Sequence, residues 1–227
     1  FCILLAIGAL LLAGSYRFRE SLPAARRNAV AWGDILRNFG SVLHNRQYAA
    51  YVLQFAFAQG VLFAYIASSP FIIQEHFGFS TFTFSLCFAL NAVAIGCAAA
   101  LAVRFHHPEQ GTRTGCIGMI GFAAAEAAAM ALGCNFWIYE GLLIGLLFSM
   151  GLTFTTSTTL AMECTRSESG TASALLGAAG FAFGGIVSPL VGLGNTMYST
   201  GAAFVVCALG SWLAVRLIRH HTDLATV

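Results

Sequence analysis

Long apolar runs alternate with short polar stretches along almost the whole of this chain. A helix needs about 20 mostly apolar residues to cross a bilayer. Six runs meet that length: Tyr48 to Ile73, Thr81 to Val103, Thr114 to Gly133, Trp137 to Ala161, Thr171 to Gly194 and Met197 to Leu217. A shorter run, Phe1 to Tyr16, stands before them without a starting methionine. No charged leader precedes it and no cleavage site stands out, so it does not read as a signal peptide. It reads as the end of a truncated transmembrane helix. The pattern predicts an all-α, polytopic membrane helix bundle.

One stretch breaks the rhythm. Residues 17–47 are polar and hold six arginines. Within them Trp32, Ile35, Leu36, Phe39, Val42 and Leu43 recur at helical spacing, with Asp34, Arg37, Asn38 and Ser41 between. Such an amphipathic helix suits the cytoplasmic membrane surface, or packing on other loops of the same protein. Functionally it looks like a connector between two membrane halves. The expected division is a helix remnant (1–16), a cytoplasmic connector (17–47), a six-helix bundle (48–218) and a cytoplasmic tail (219–227).

Charge gives these runs an orientation. The 11 basic residues are all arginine. They fall between Arg17 and Arg46, between Arg104 and Arg113, at Arg166, and at Arg216 and Arg219. The turns at Gln74 to Ser80, at Cys134 to Phe136 and near Asn195 have none. Basic loops stay in the cytoplasm, so the arginine-free turns should face outward and the carboxyl terminus inward. Charged residues are only 9% of the chain, against about 25% in soluble domains, too few to cover a water-facing surface. The seven cysteines are scattered, mostly in apolar runs, and read as small buried hydrophobes. No phosphate-cradling loop, metal-spaced histidine pair or serine elbow is present, so neither enzyme chemistry, nor a metal, nor a cofactor is expected. Arginines at membrane edges do not suggest nucleic acid.

Polar residues inside the runs are the candidate functional groups. Tyr51, Gln54, Val61, Tyr65, Ser68 and Ser69 share one helical face, which should point at protein or a water-filled cavity. Gln59 falls off that face and reads as a packing contact. Asn91 lies mid-run, where an amide bonds a neighbouring helix or a ligand. Thr153, Thr155, Thr156, Ser157, Thr158 and Thr159 crowd one run, and their hydroxyls can bond back to their own helix. Two acids are candidates for proton coupling. Glu126 sits mid-run among alanines, where a close helix partner could hide it. Glu140, three residues past Trp137, stands near the outer mouth, to meet a proton or cation or to remain a solvated interface residue. Gly141 and Gly145, and Gly180 and Gly184, are spaced for close helix approach. Gly184, Gly185 and Pro189 mark a bend that serves as a hinge or as a static kink.

Six runs after a long basic connector suggest a major facilitator transporter, with two six-helix halves around a central site. Specific residues narrow this. Glu20-Ser21-Leu22-Pro23 precedes Arg26 and Arg27. Phe63 to Gln74 contains Ala67-Ser68-Ser69-Pro70-Phe71, and Phe88-Ala89-Leu90-Asn91-Ala92 follows. Ser169-Gly170-Thr171-Ala172-Ser173 leads to Ser188-Pro189-Leu190-Val191-Gly192. In this order the chain resembles the Bcr/CflA family of bicyclomycin and chloramphenicol resistance transporters, from the end of helix six through helix twelve. The resemblance implies proton-driven export of small drug-like molecules across a bacterial inner membrane, together with an N-terminal six-helix half. It also implies that the helices holding Tyr65 and Thr153 line the central cavity and that the one holding Glu126 packs outside it. The stretch Arg104 to Arg113 departs from the family by lacking an aspartate. Two alternatives remain: an importer of a small metabolite on the same fold, and an inactive truncated membrane protein. A charged metabolite would call for fixed charge in the cavity, and these runs offer little.

Overall fold

The computed structural model describes residues 1–18 and 32–225; at 32, 34–36, 167 and 217–225 it describes the backbone alone. The motif Glu20 to Pro23, with Arg19, Arg26 and Arg27, lies outside the described residues, as do the side chains of Trp32, Ile35, Leu36, Arg219, His220 and His221. Two compact units divide the chain, Phe1–Arg37 and Asn38–Val227. In the first, α1 (Cys2–Ser15) is apolar up to its last residue, Ser15, and none of its residues is buried. A second helix, α2 (Trp32–His44), runs into the other unit.

The second unit is a bundle of α3 (Arg46–Pro70), α4 (Thr81–Ala102), α5 (Pro108–Ala131), α6 (Phe136–Glu163), α7 (Ser169–Leu190) and α8 (Thr196–Ala225). Among the described residues six helices are long and apolar enough to cross a membrane, as the hydropathy pattern predicts. Their starts follow from local chemistry. Asn45, Ser80 and Asn135 cap α3, α4 and α6 by accepting from otherwise unpaired backbone N–H groups. A left-handed glycine, Gly78, Gly133 or Gly194, lies within or directly before each of the three arginine-free turns, where a side chain would be strained.

These three turns gather at one end of the bundle. Phe136 packs on Phe77 and Phe79 of the first turn. The first turn and Asn195 to Met197 also line a shallow depression of about 310 Å³. At the opposite end, Asn45 donates to the Cys164 carbonyl at 3.4 Å and Tyr48 to the Ala172 carbonyl at 2.6 Å. There Arg216 lies over the Trp212 ring, 3.9 Å from its centroid. Arginine-bearing and arginine-free connections are therefore sorted by end. Residues 38–44 of α2 join the arginine-bearing end. Val42 is buried with Tyr51 and Leu160, whereas Leu43 of the same predicted stripe is exposed.

α3 and α6 form the centre. α3 packs on α6, α7 and α8, while α6 packs on α3, α4 and α5. The flanking helices touch this core along narrow stripes. α4 buries Asn91, Ala94, Ala98 and Ala102; α7 buries Ala172, Leu176, Gly180, Gly184 and Val187. Spacings of three and four residues place each set on one helical side. Outside them Phe82, Leu86, Val93, Phe181 and Ile186 are exposed, an apolar surface suited to lipid or to further membrane protein.

Two features differ from the sequence reading. The first span does not continue as an α-helix to Ile73. It changes at Pro70 into a π-helix, Phe71–His76. Proline lacks the donor an α-helix needs and crowds the carbonyl four residues back, so the register widens there. The glycine pairs also act differently from expectation. A Cβ on Gly145, Gly180 or Gly184 would meet Phe122, Phe55 or Phe63 rather than a facing backbone, and Gly141 faces open space. Backbones come closest at Gly115, which stands four residues after Gly111, and at Gly151. A Cβ on Gly115 would stand 2.8 Å from the Ser149 carbonyl oxygen, and one on Gly151 3.0 Å from that of Ile95.

Candidate functional site

Asn91 joins three helices in the half of the bundle near the arginine-free turns. Its Nδ2 donates to Glu140 Oε1 on α6 at 3.0 Å and to the Tyr65 hydroxyl on α3 at 3.4 Å. All three residues are buried, Glu140 at 5% exposure. Its position is a correction to the sequence reading, which left open a solvated place at the outer mouth. Proximity to Trp137 suggests that place, but α4 and α3 cover the carboxyl group and Asn91 supplies the donor that makes burial tolerable. Glu140 Oε2 and Asn91 Oδ1 have no protein partner. The Tyr65 ring stacks on Phe88, with centroids 5.5 Å apart and planes inclined by 18°.

Glu126 on α5 is fully buried, with both carboxyl oxygens lacking a partner. Tyr139, next to Glu140 on α6, is also fully buried and its hydroxyl is unpartnered. Glu126, Tyr139 and Glu140 lie within electrostatic reach of one another. Residues 47–75, 81–103 and 114–165 contain no arginine, lysine or histidine. Over these stretches α3, α4, α5 and α6 carry no positive side chain.

The remaining polar candidates divide by environment. Tyr51, Gln54, Val61, Ser68 and Ser69 are all buried within the bundle. Gln54 Nε2 donates to Ser211 on α8 at 3.0 Å and approaches Cys116 of α5 at 3.9 Å. Ser68 bonds back to Ala64 at 2.8 Å. Thr153, Thr155, Thr156, Thr158 and Thr159 likewise donate to carbonyls of their own helix, so these bonds satisfy them locally. Thr153 is fully buried against Gly115. Gln59 packs beside Gly180 of α7, away from the acids.

Residues 1–189 match the sequence profile of the Major Facilitator Superfamily. The chain belongs to that superfamily. It is also 34% identical over 218 residues to an uncharacterised MFS-type transporter, YdgK, of Bacillus subtilis (strain 168). The match takes in 93% of this chain and 54% of that relative, so the chain spans about half the length of the curated relative it matches. Superfamily membership and the six long apolar helices make this a multi-pass membrane protein of a transporter family, in a lipid bilayer.

In this superfamily member the structure unites Tyr65, Asn91 and Glu140, with Glu126 in reach, and leaves Gln54 and Thr153 to separate contacts. The hinge candidates sit apart. Gly184 is covered by Phe63, while Gly185 faces open space. Pro189, one residue before α7 ends, cannot donate to the Gly185 carbonyl. Phe88 and Tyr139 escaped the sequence reading as individual site residues. Phe88 carries a signal, since it stands three residues before Asn91 and so shares its face. Tyr139 adjoins an acid, but its full burial follows only from the packing around it.

Proposed function

We propose that this chain is the C-terminal part of a proton-coupled exporter of small drug-like molecules, of the Bcr/CflA kind. The single observation that carries the reading is the buried Glu140 carboxyl, bonded to Asn91 and linked through it to Tyr65, with one oxygen free. An acid inside a membrane bundle is a candidate functional group by default. A carboxyl group with a spare oxygen can hold and release a proton as the bundle changes conformation. Glu140 and Glu126 are the proton-coupling acids in this reading. Tyr65, Asn91 and Ser68 contact substrate, Tyr51, Gln54 and Thr153 line the path farther in, and Gly184, Gly185 and Pro189 allow α7 to bend. Residues 1–16 end a preceding helix, 17–47 connect two halves, 48–218 form the transport bundle and 219–227 lie in the cytoplasm. The protein resides in the bacterial plasma membrane and rocks this bundle against an N-terminal six-helix half.

Residues 1–227 expressed alone are expected to move no drug, while the full-length protein lowers cellular chloramphenicol accumulation. Accumulation assays on both forms check this, and robust efflux by the shorter form would refute the two-half reading. Within the full-length protein, Tyr65→Ala should shift the resistance profile among drugs more than Gln59→Ala. Tyr65 meets Asn91 and Phe88, whereas Gln59 meets Gly180. Identical profiles for the two variants would remove Tyr65 from the substrate path.

A further inference from the structure

We infer that Glu126, Tyr139 and Thr200 form a binding site for a sodium ion where α5, α6 and α8 meet. All three side chains are fully buried, and both Glu126 oxygens and the two hydroxyls lack a protein partner. Buried polar groups are nearly always bonded, so orphaned oxygens at one crossing call for a bound species. The threonines of α6 bond back to their own helix, whereas Thr200 does not. Helix geometry aims the three groups together. Thr200 and Ser211 are eleven positions apart, about three turns, so they share a side of α8. On that side Ser211 meets Cys116 of α5 and Gln54 of α3. A Cβ on Gly201 would stand 3.1 Å from the Ala127 Cα, so Thr200 and Glu126 lie at one level of the α5–α8 contact. Glu126 stands about two turns beyond Met119, which meets Thr153 of α6 at 3.6 Å, and so faces α6. There it is in electrostatic reach of Tyr139.

Oxygen donors alone suit a hard metal ion. One carboxylate with two neutral hydroxyls carries a single negative charge, which sodium balances; a divalent ion would leave surplus charge in a medium that solvates it poorly. Residues 47–75, 114–165 and 196–215 hold no arginine, lysine or histidine, so no basic side chain on these stretches takes that place. Entry is from the arginine-free end. The depression of about 310 Å³ there is lined by Thr196 and by the exposed Glu75, a carboxylate that draws cations. Thr200 stands one turn below Thr196 on the same side of α8. Tyr139 packs on Phe77 of the first turn, with ring centroids 5.6 Å apart. Sodium replaces the Glu126 proton: the O–H bond breaks, the proton passes to water, and the net charge of the site is unchanged. The titratable groups in electrostatic reach of Glu126 are Cys134 before α6 and Tyr139 and Glu140 on it. The part this ion plays in transport rests on the exporter reading above, whereas its occupancy does not.

The test is binding of radioactive sodium to the purified full-length protein in detergent, with choline chloride holding ionic strength constant. Native protein should bind sodium saturably. Glu126→Gln should weaken binding at least tenfold, and Thr200→Val and Tyr139→Phe several-fold each. Gln59→Ala, away from the site, should stay within twofold of native. Sodium should also raise the melting temperature of the native protein above its value in equimolar choline chloride, and leave that of Glu126→Gln unchanged. Thermal unfolding in choline chloride confirms that each variant folds. No saturable binding by the native protein, with water alone filling the site, would overturn the inference. So would binding within twofold of native in Glu126→Gln or, should that variant not fold, in Thr200→Val. Drug accumulation in cells is measured separately. Absence of export with sodium binding intact would reject the exporter reading and leave the sodium site standing.

Discussion

Asn91→Leu is expected to abolish drug export by the full-length protein and to destabilise it by about 1–3 kcal/mol, the usual effect of stranding a buried polar group. The amide is fully buried and bonds both Glu140 and Tyr65. Leucine has similar bulk and no donor, so the substitution leaves Glu140 Oε1 without its partner as well as Oε2. Replacing both partners, as Asn91→Leu with Glu140→Leu, should return most of the stability, because apolar groups then pack where polar ones were stranded. Export should stay absent. Thermal unfolding in detergent and drug accumulation in cells separate the two effects. An Asn91→Leu protein that exports like the native one would show that the cluster serves packing alone.

Gly115→Val should produce the largest loss of stability among glycine substitutions, at the upper end of the roughly 1–3 kcal/mol typical of overpacking. Its Cβ would lie 2.8 Å from the Ser149 carbonyl oxygen and 3.0 Å from the Thr153 backbone nitrogen. Neither atom can turn aside as a side-chain tip can, so α5 and α6 must separate. That separation would also disturb the crossing that brings Glu126 of α5 towards Tyr139 and Glu140 of α6. Gly121→Val is the control, since its Cβ would meet nothing within 4 Å on the same helix. It should change stability by no more than about 0.5 kcal/mol. Equal melting temperatures for the two variants would disprove the close α5–α6 contact.

Much of the architecture was legible before any coordinates. The six spans, their polar turns and the grouping of arginine-free connections follow from apolar length and from where charge falls. The threonine-rich stretch also bonds as its composition suggests, hydroxyl to own-helix carbonyl. The candidate site was legible only as isolated residues. Asn91, Tyr65 and Glu140 stand out as polar groups in apolar runs, yet nothing in their spacing unites them. The π-helix after Pro70 went unseen because a proline near a helix end more often signals a stop than a wider register.

The sequence by itself determined which six of the described segments are long and apolar enough to cross a bilayer and which ends belong together. Transfer from water to oil is a property of each segment alone, and it scales with that segment's own apolar surface. Only the tertiary structure decided which polar groups meet. Asn91 and Glu140 are 49 positions apart, and Gln54 and Ser211 are 157 apart. Their pairing depends on how far each helix rotates and tilts about its axis, and contacts such as Gly115 against Ser149 set that rotation. Hydropathy has no term for it, because once every helix is in oil, rotating one of them leaves its transfer energy almost unchanged and alters only what its neighbours touch.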